Sequence, residues 1–289
     1  MQTIREIEED NRANIESEIG SNLDAAWGLF EFVARVFSEI KATDHGCPDQ
    51  TKCVLIGILV EGMTLYRSVI ELCRIGQSSS AEILSRTMFE LYLAERFIVD
   101  PPPDGKFGLP PIPIGEDPTD FLAKVYFHAS ALRIEKALET IRKNPDCAGV
   151  LSASFEATVR AAADDARDIK EIGPEWAKNI VNKTTFAGVQ VESVAAHYDL
   201  QAYYDMFYRC GSLIVHASDA LTGMTPEERD GSKLITFAFH SKPDAVTTVL
   251  GIANRWIVKI FAVGTGFLVV NSLQDVMQLQ MMEARLDGE

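Results

Sequence analysis

Apolar positions along the chain recur at steps of three and four almost throughout, the signature of helices. Residues 4 to about 19 are charged and weakly amphipathic. Gly20 and Ser21 then punctuate the pattern, and Ser21 or Asn22 is the expected cap of a helix running to about Lys41. In that helix Leu23, Trp27, Phe30, Ala34 and Phe37 share one face. Thr43 to Gln50, with Gly46 and Pro48, reads as a loop. A long apolar helix is expected from about Thr51 to Ile75, stopped by Gly76, and a second from Ser78–Ser80 to about Val99. The short connection makes these two an antiparallel hairpin. Apolar residues cover most of the second helix, which predicts a place for it at the centre of a bundle.

The segment from Asp100 to Pro118 holds most of the local proline, and its prolines deny helix and strand, so an extended surface loop is expected. Helices resume at about Asp120–Arg142 and Leu151–Glu171, with a short one from Pro174. Another is expected from near Val191 to Leu221, broken around Tyr198 and closed by Gly223 and Pro226. Lys233–His240 has strand-like composition but stands alone, so it needs a partner to be a strand. The last helix is expected from about Pro243 to Arg285, interrupted by Gly251, Gly264 and Gly266, with Met277, Met281 and Met282 packed. The predicted architecture is all-α. It is a single domain over residues 1–289, a bundle built on the hairpin at about 51–99, with long N- and C-terminal helices and a Pro-rich loop at 100–118.

Composition narrows the function. The chain has 289 residues, 47% of them hydrophobic, and a formal net charge of −15. Its apolar content is that of a folded protein rather than a disordered one. The acidic balance argues against general DNA binding and against docking on anionic lipid, while leaving room for a small basic pocket. Five scattered cysteines without C-x-x-C read as reduced thiols of a cytoplasmic protein. The acidic N-terminus lacks the apolar core of a signal peptide. Trp256 to Val270, the one span-like stretch, contains Lys259 and falls short of the roughly 20 residues needed, so no membrane association is expected.

Two groups of residues could carry chemistry. Arg209 and His216 stand seven apart, two helical turns, and so leave one face about 10 Å apart along the axis. Gln201, Asp205, Ser212 and Asp219 share that row, and Asp205 can pair with Arg209. A guanidinium clamps a phosphate and stabilises its growing charge, and an imidazole moves a ribose 2′-hydroxyl proton near neutrality. A polar stripe is equally what a solvated helix face displays. The second group is an internal echo, L-x-R-[ST]-x-[IF]-E-L, which places Arg67 with Glu71 and Arg86 with Glu90 on the two hairpin helices. Arg86 and Glu90 share a row with Glu82, and Arg67 and Glu71 one with Ile56, Val60 and Met63. Charges in apolar rows are expected to be partly buried and therefore paired. They are either structural ion pairs or, in the case of Arg86 and Glu90, members of a cavity that meets the Arg209/His216 face. No spacing for a metal site, nucleotide-cofactor loop or serine nucleophile occurs, so no cofactor and no metal are expected.

The echo on the hairpin and the Tyr-rich helix ending in Val-His-Ala-Ser resemble a bacterial all-helical family known only as a domain of unknown function, over roughly residues 20 to 285. The Arg-x6-His spacing is also similar to the signature of the HEPN superfamily. That resemblance implies a metal-independent ribonuclease or nucleotide-binding protein of defence or toxin–antitoxin systems, with Arg209 and His216 catalytic and facing their mates across a homodimer. Cys210 departs from the polar residue usual after the arginine, and Ile214 and Val215 precede the histidine. The alternative from another class is a non-catalytic helical interaction or regulatory protein.

Overall fold

A computed structural model describes residues 4–40, 49–103, 107, 112–143, 152–168, 189–209, 224–229, 232–237, 242–268 and 270–287. Its helices are α1 (Ile4–Ser38), α2 (Asp49–Arg74), α3 (Ser78–Val99), α4 (Pro118–Arg142), α5 (Ala153–Asp168), α6 (Val191–His197) and α7 (Gln201–Tyr203). A π-helical turn (Tyr204–Arg209) continues α7, strands β1 (Met224–Arg229) and β2 (Ser232–Phe237) follow, and α8 (Pro243–Phe267) and α9 (Leu273–Asp287) close the chain. Among the described residues the fold is all-α apart from that one hairpin of strands. The chain forms two compact units. The first comprises Met1–Asp44, Ile56–Tyr92 and Ala202–Glu289, and the second His45–Leu55 and Leu93–Gln201.

Helix α3, expected at the centre of the bundle, has only Ser79 exposed, and in the first unit α8 is a second central helix. It buries Val246, Val249, Ala253, Trp256, Ile257 and Ile260, whose spacing fills one broad face, with Phe261 extending it. Helix α1 packs on α8. Helix α2 reaches it at three levels. Gly62 faces Ile257 and Ile260. The Tyr66 hydroxyl donates to Asn254 Oδ1 at 2.5 Å and approaches the Ala26 carbonyl of α1 at 3.2 Å. The Cys73 thiol meets the Val246 carbonyl. By length and composition alone α2, over Gln50–Arg74, and α8 could cross a membrane, and 50% and 61% of their most apolar windows are buried in the fold.

Three boundaries differ from the sequence pattern. The expected stop at Gly20 and Ser21 is absent, and α1 runs unbroken. Ile15, Ile19, Leu23, Ala26, Val33 and Val36 are all buried along it, and that continuous face outweighs the roughly 1 kcal/mol a helical glycine costs. The last helix is two. Leu268 turns extended after Phe267, Val270 bridges to Ile40, and the Asn271 N–H donates to the Glu39 carbonyl. Ser272 then caps α9 by accepting from the Asp275 N–H at 3.3 Å, and α9 packs back on α8, where Arg255 donates to the Leu286 carbonyl. The strand-like run does find a partner: β2 pairs antiparallel with β1, Pro226 opposite Ile235.

The α2–α3 connection is as expected. Gly76 takes φ +73°, the Gln77 N–H bonds the Leu72 carbonyl, and the Gly76 N–H bonds the Cys73 carbonyl, a left-handed helix cap that satisfies the last turn. Asn11 of α1 donates to the Ile75 carbonyl beside it.

In the second unit Asp117 caps α4 by accepting from the N–H groups of Thr119 and Asp120, with Pro118 in the first turn. Helix α4 packs against α5, and Arg142 is paired with Glu156. Tyr198, just past α6, donates its hydroxyl to the Asp100 carbonyl at 2.6 Å and approaches the Arg96 carbonyl at 3.2 Å, while the Arg96 guanidinium lies over its ring and pairs with Asp100. Of the proline-rich stretch, Phe107 packs beside Phe97 and His197. The expected helix from Pro174 lies outside the described residues, as does the loop at 43–48.

Candidate functional site

The site grows from the π-helical turn of the first unit. A π turn holds its hydrogen bonds five residues apart and is wider than an α turn. The expected row through Gln201, Asp205 and Arg209 assumes 3.6 residues per turn, so that alignment does not carry through Tyr204–Arg209. Tyr204 and Tyr208, four apart on this turn, stack with ring centres 4.9 Å apart and planes 18° from parallel. Tyr203, one residue earlier, points to α8, where it meets Trp256 edge-on at 5.4 Å and lies under the Arg255 guanidinium.

Arg86 of α3 completes the cluster. Its guanidinium sits 3.9 Å from the centre of the Tyr208 ring, the closest cation–aromatic contact among the described residues, and it pairs with Glu90 at 3.5 Å. The Arg86 side chain is 16% exposed, so the ring and the carboxylate together replace its lost water. Glu90 is the more open partner at 38%. Burial, and after it the Glu90 charge, pushes the Tyr208 phenol above its ordinary 10.0, with Arg86 acting in the opposite sense. Burial also raises the Glu82 carboxyl, one turn before Arg86. Phe89 and Tyr92 carry the cluster inward to Trp256 at 4.9 and 5.7 Å. Trp256 is fully buried, and its indole N–H has no acceptor among the described residues. Lys259, 3% exposed, places its ammonium 5.7 Å from the Tyr92 ring centre.

The expected residues fare unequally. Arg86 and Glu90 are partly buried and paired, and they meet the helix that leads into Arg209 through Tyr208. Asp205 is exposed on the π turn. Arg209 ends that turn, and its side chain lies outside the described residues, as do Ser212, His216 and Asp219. The pairing expected between Arg67 and Glu71 does not form. Arg67 is exposed, and Glu71 pairs instead with Arg74 at 3.0 Å, the order in which an acid precedes its cation on a helix. The row Ile56, Val60, Met63 is correspondingly open, with Val60 45% exposed, because α2 turns its other face to α8. Met277 and Met281 are also exposed, so the packing expected of them fails for these two. Tyr204, Tyr208 and Trp256 were not legible as site residues, although three tyrosines within six positions marked the turn as aromatic. Among the described residues no His, Cys, Asp or Glu group could hold a metal ion, and Cys53 and Cys73 are free thiols.

This is an all-helical protein with an aromatic and cationic cluster gathered at a π-helical turn. Residues 52–232, more than half of the chain, match a family of unknown function (DUF5677), and the chain belongs to that family. The matched span covers α2 through the start of β2 and so includes Arg86, Glu90, Tyr208, Arg209 and His216. No curated protein and no solved structure matches the chain.

Proposed function

We propose that this chain is a HEPN-like nucleotide- or RNA-binding protein of the cytoplasm, acting as a homodimeric, metal-independent ribonuclease through Arg209 and His216. The observation that carries the reading is the seating of Arg86 over Tyr208, one residue before Arg209. A guanidinium thereby stands beside the turn that leads into Arg209, held by Glu90 and an aromatic ring rather than by solvent. In the reaction a guanidinium holds the non-bridging phosphate oxygens and His216 takes the proton of the ribose 2′-hydroxyl. The 2′-oxygen then attacks phosphorus, and the 5′-oxygen leaves and is protonated. RNA cleavage by the purified chain and growth arrest on its expression are expected to be lost in His216→Ala and Arg209→Ala. Native and His216→Ala proteins that behave alike in both assays overturn the reading.

A second reading is favoured by α9, whose Leu273, Met277 and Met281 are 72%, 55% and 57% exposed along one face. Flexible methionine rows of this kind suit partner helices. On that reading the chain is a non-catalytic interaction or regulatory protein, and Arg86–Glu90 is a structural pair. Alanine at His216 would then be silent, while Met277→Asp would release the partner.

A further inference from the structure

We infer that Arg86, supported by Glu90, is a positioning residue: it latches Tyr208 and so holds Tyr204–Arg209 in its π register, which sets where Arg209 stands around the helix axis. The register is a property of the fold, and only its consequence at Arg209 rests on the ribonuclease reading. Tyr203 and Tyr208 bracket the turn, five residues apart. On an α-helix that spacing leaves two side chains about 140° apart. On a π-helix the hydrogen bond itself spans five residues, so residues five apart become neighbours, as residues four apart are on an α-helix. The two rings depend on this. Tyr203 meets Trp256 at 5.4 Å, Tyr208 meets Phe89 at 6.4 Å, and Phe89 and Trp256 are themselves 4.9 Å apart. One aromatic pair of the core thus receives both tyrosines, which an α turn of the same length would point apart.

Uncommon backbone persists where its surroundings over-determine it, and Tyr208 is held in that way. The Arg86 guanidinium, 3.9 Å from the ring centre, and Tyr204, stacked at 4.9 Å, lie too close to the ring to share a face, so Tyr208 is gripped on both. Glu90 pairs with Arg86 and keeps it over the ring. Both charges stand on α3, of which only Ser79 is exposed, so the latch is anchored in a fixed element. Relaxation to α geometry would take Tyr208 off Arg86 and Phe89 and carry Arg209 around the axis by about 100°, the angle of one residue.

The experiment follows hydrogen–deuterium exchange of the 204–209 amides in the full-length chain, together with RNA cleavage kinetics, with circular dichroism as a fold control. In Arg86→Gln the turn is expected to exchange roughly five- to tenfold faster, the size of one cation–aromatic contact. Its kcat is expected to fall roughly tenfold or more with KM little changed. Met206, 59% exposed on the turn, supplies the discriminating variant. Its deletion brings Tyr203 and Tyr208 to four apart, so an α turn seats both rings, and the fold and the slow exchange are expected to survive. In that background Arg86→Gln is expected to lose most of its effect on exchange, whereas a merely structural ion pair would count equally in both. Equal effects in the two backgrounds overturn the inference, as do unchanged exchange in Arg86→Gln and a Met206 deletion that unfolds the chain. Faster exchange in Arg86→Gln with kcat unchanged overturns the role toward Arg209. A native chain that cleaves no RNA overturns the ribonuclease reading instead, and the exchange rates still decide the register.

Discussion

At Tyr66 one hydroxyl joins three helices, and the physics of that atom is set wholly by burial. It donates to Asn254 and approaches the Ala26 carbonyl, and desolvation lifts its pKa well above the ordinary value, aided by Cys73 below it. Burial likewise pushes the Cys73 thiol up from 9.0 to about 12. Both groups are acids held in the protonated form, so they impose no pH dependence on stability below about 9. As pH rises from there toward 12 the unfolded chain loses the Cys73 proton first, and stability falls by roughly 1.4 kcal/mol per unit from this thiol. Denaturant midpoints measured across that window are expected to drop in the native chain and to drop less steeply in Cys73→Ala, where Tyr66 alone still lowers stability above about 10. Neither residue was a site candidate in the sequence, because a tyrosine or a cysteine on an apolar helix face looks the same whether or not it finds a carbonyl. Arg86 and Glu90 were legible as a pair, since their spacing alone brings the charges together. What lay over Arg86 was not, because Tyr208 is more than a hundred residues away.

Glycine shows how the same local signal diverges at the scale of elements. Gly20 and Gly76 both read as helix stops. At Gly76 the backbone is left-handed, and an added Cβ would strike Asn11, so the residue is required there. At Gly20 the helix continues, and a Cβ would meet nothing closer than the Glu16 side chain at 3.5 Å. Opposite outcomes follow: thermal unfolding should show Gly20→Ala more stable by about 0.5–1 kcal/mol, and Gly76→Ala less stable by about 1 kcal/mol or more. The helical hairpin and the break at Tyr198 were legible because capping and turn chemistry are local. The split between α8 and α9 was not, since the apolar period runs on past Phe267. The contacts of Asn271 with Glu39 and of Val270 with Ile40 end the helix there. The strand pair was half legible: β2 showed in composition, while Pro226 disguised β1. Asp230–Gly231 between the two runs was the overlooked hairpin signal.

Over the whole molecule the net charge of −15 constrains any nucleic-acid role. A site resting on Arg86 and Arg209 neutralises about two phosphates, so the affinity for single-stranded RNA should fall with salt at a log–log slope of roughly −1.4. Fluorescence anisotropy titrations across ionic strength measure that slope. A value near −5 would mean a broad basic face and exclude a confined pocket. The sequence by itself determined the helical class, most helix ends, and which charges could pair along a helix, because each depends on residues within a turn or two of one another. Tertiary structure alone decided three things: that α8 is the core of its unit, that α2 leaves Val60 and Arg67 outward, and that Tyr208 lies under Arg86. Each is a choice among apolar faces of similar strength, and only the packing of distant helices, by burying one face and sparing another, makes it.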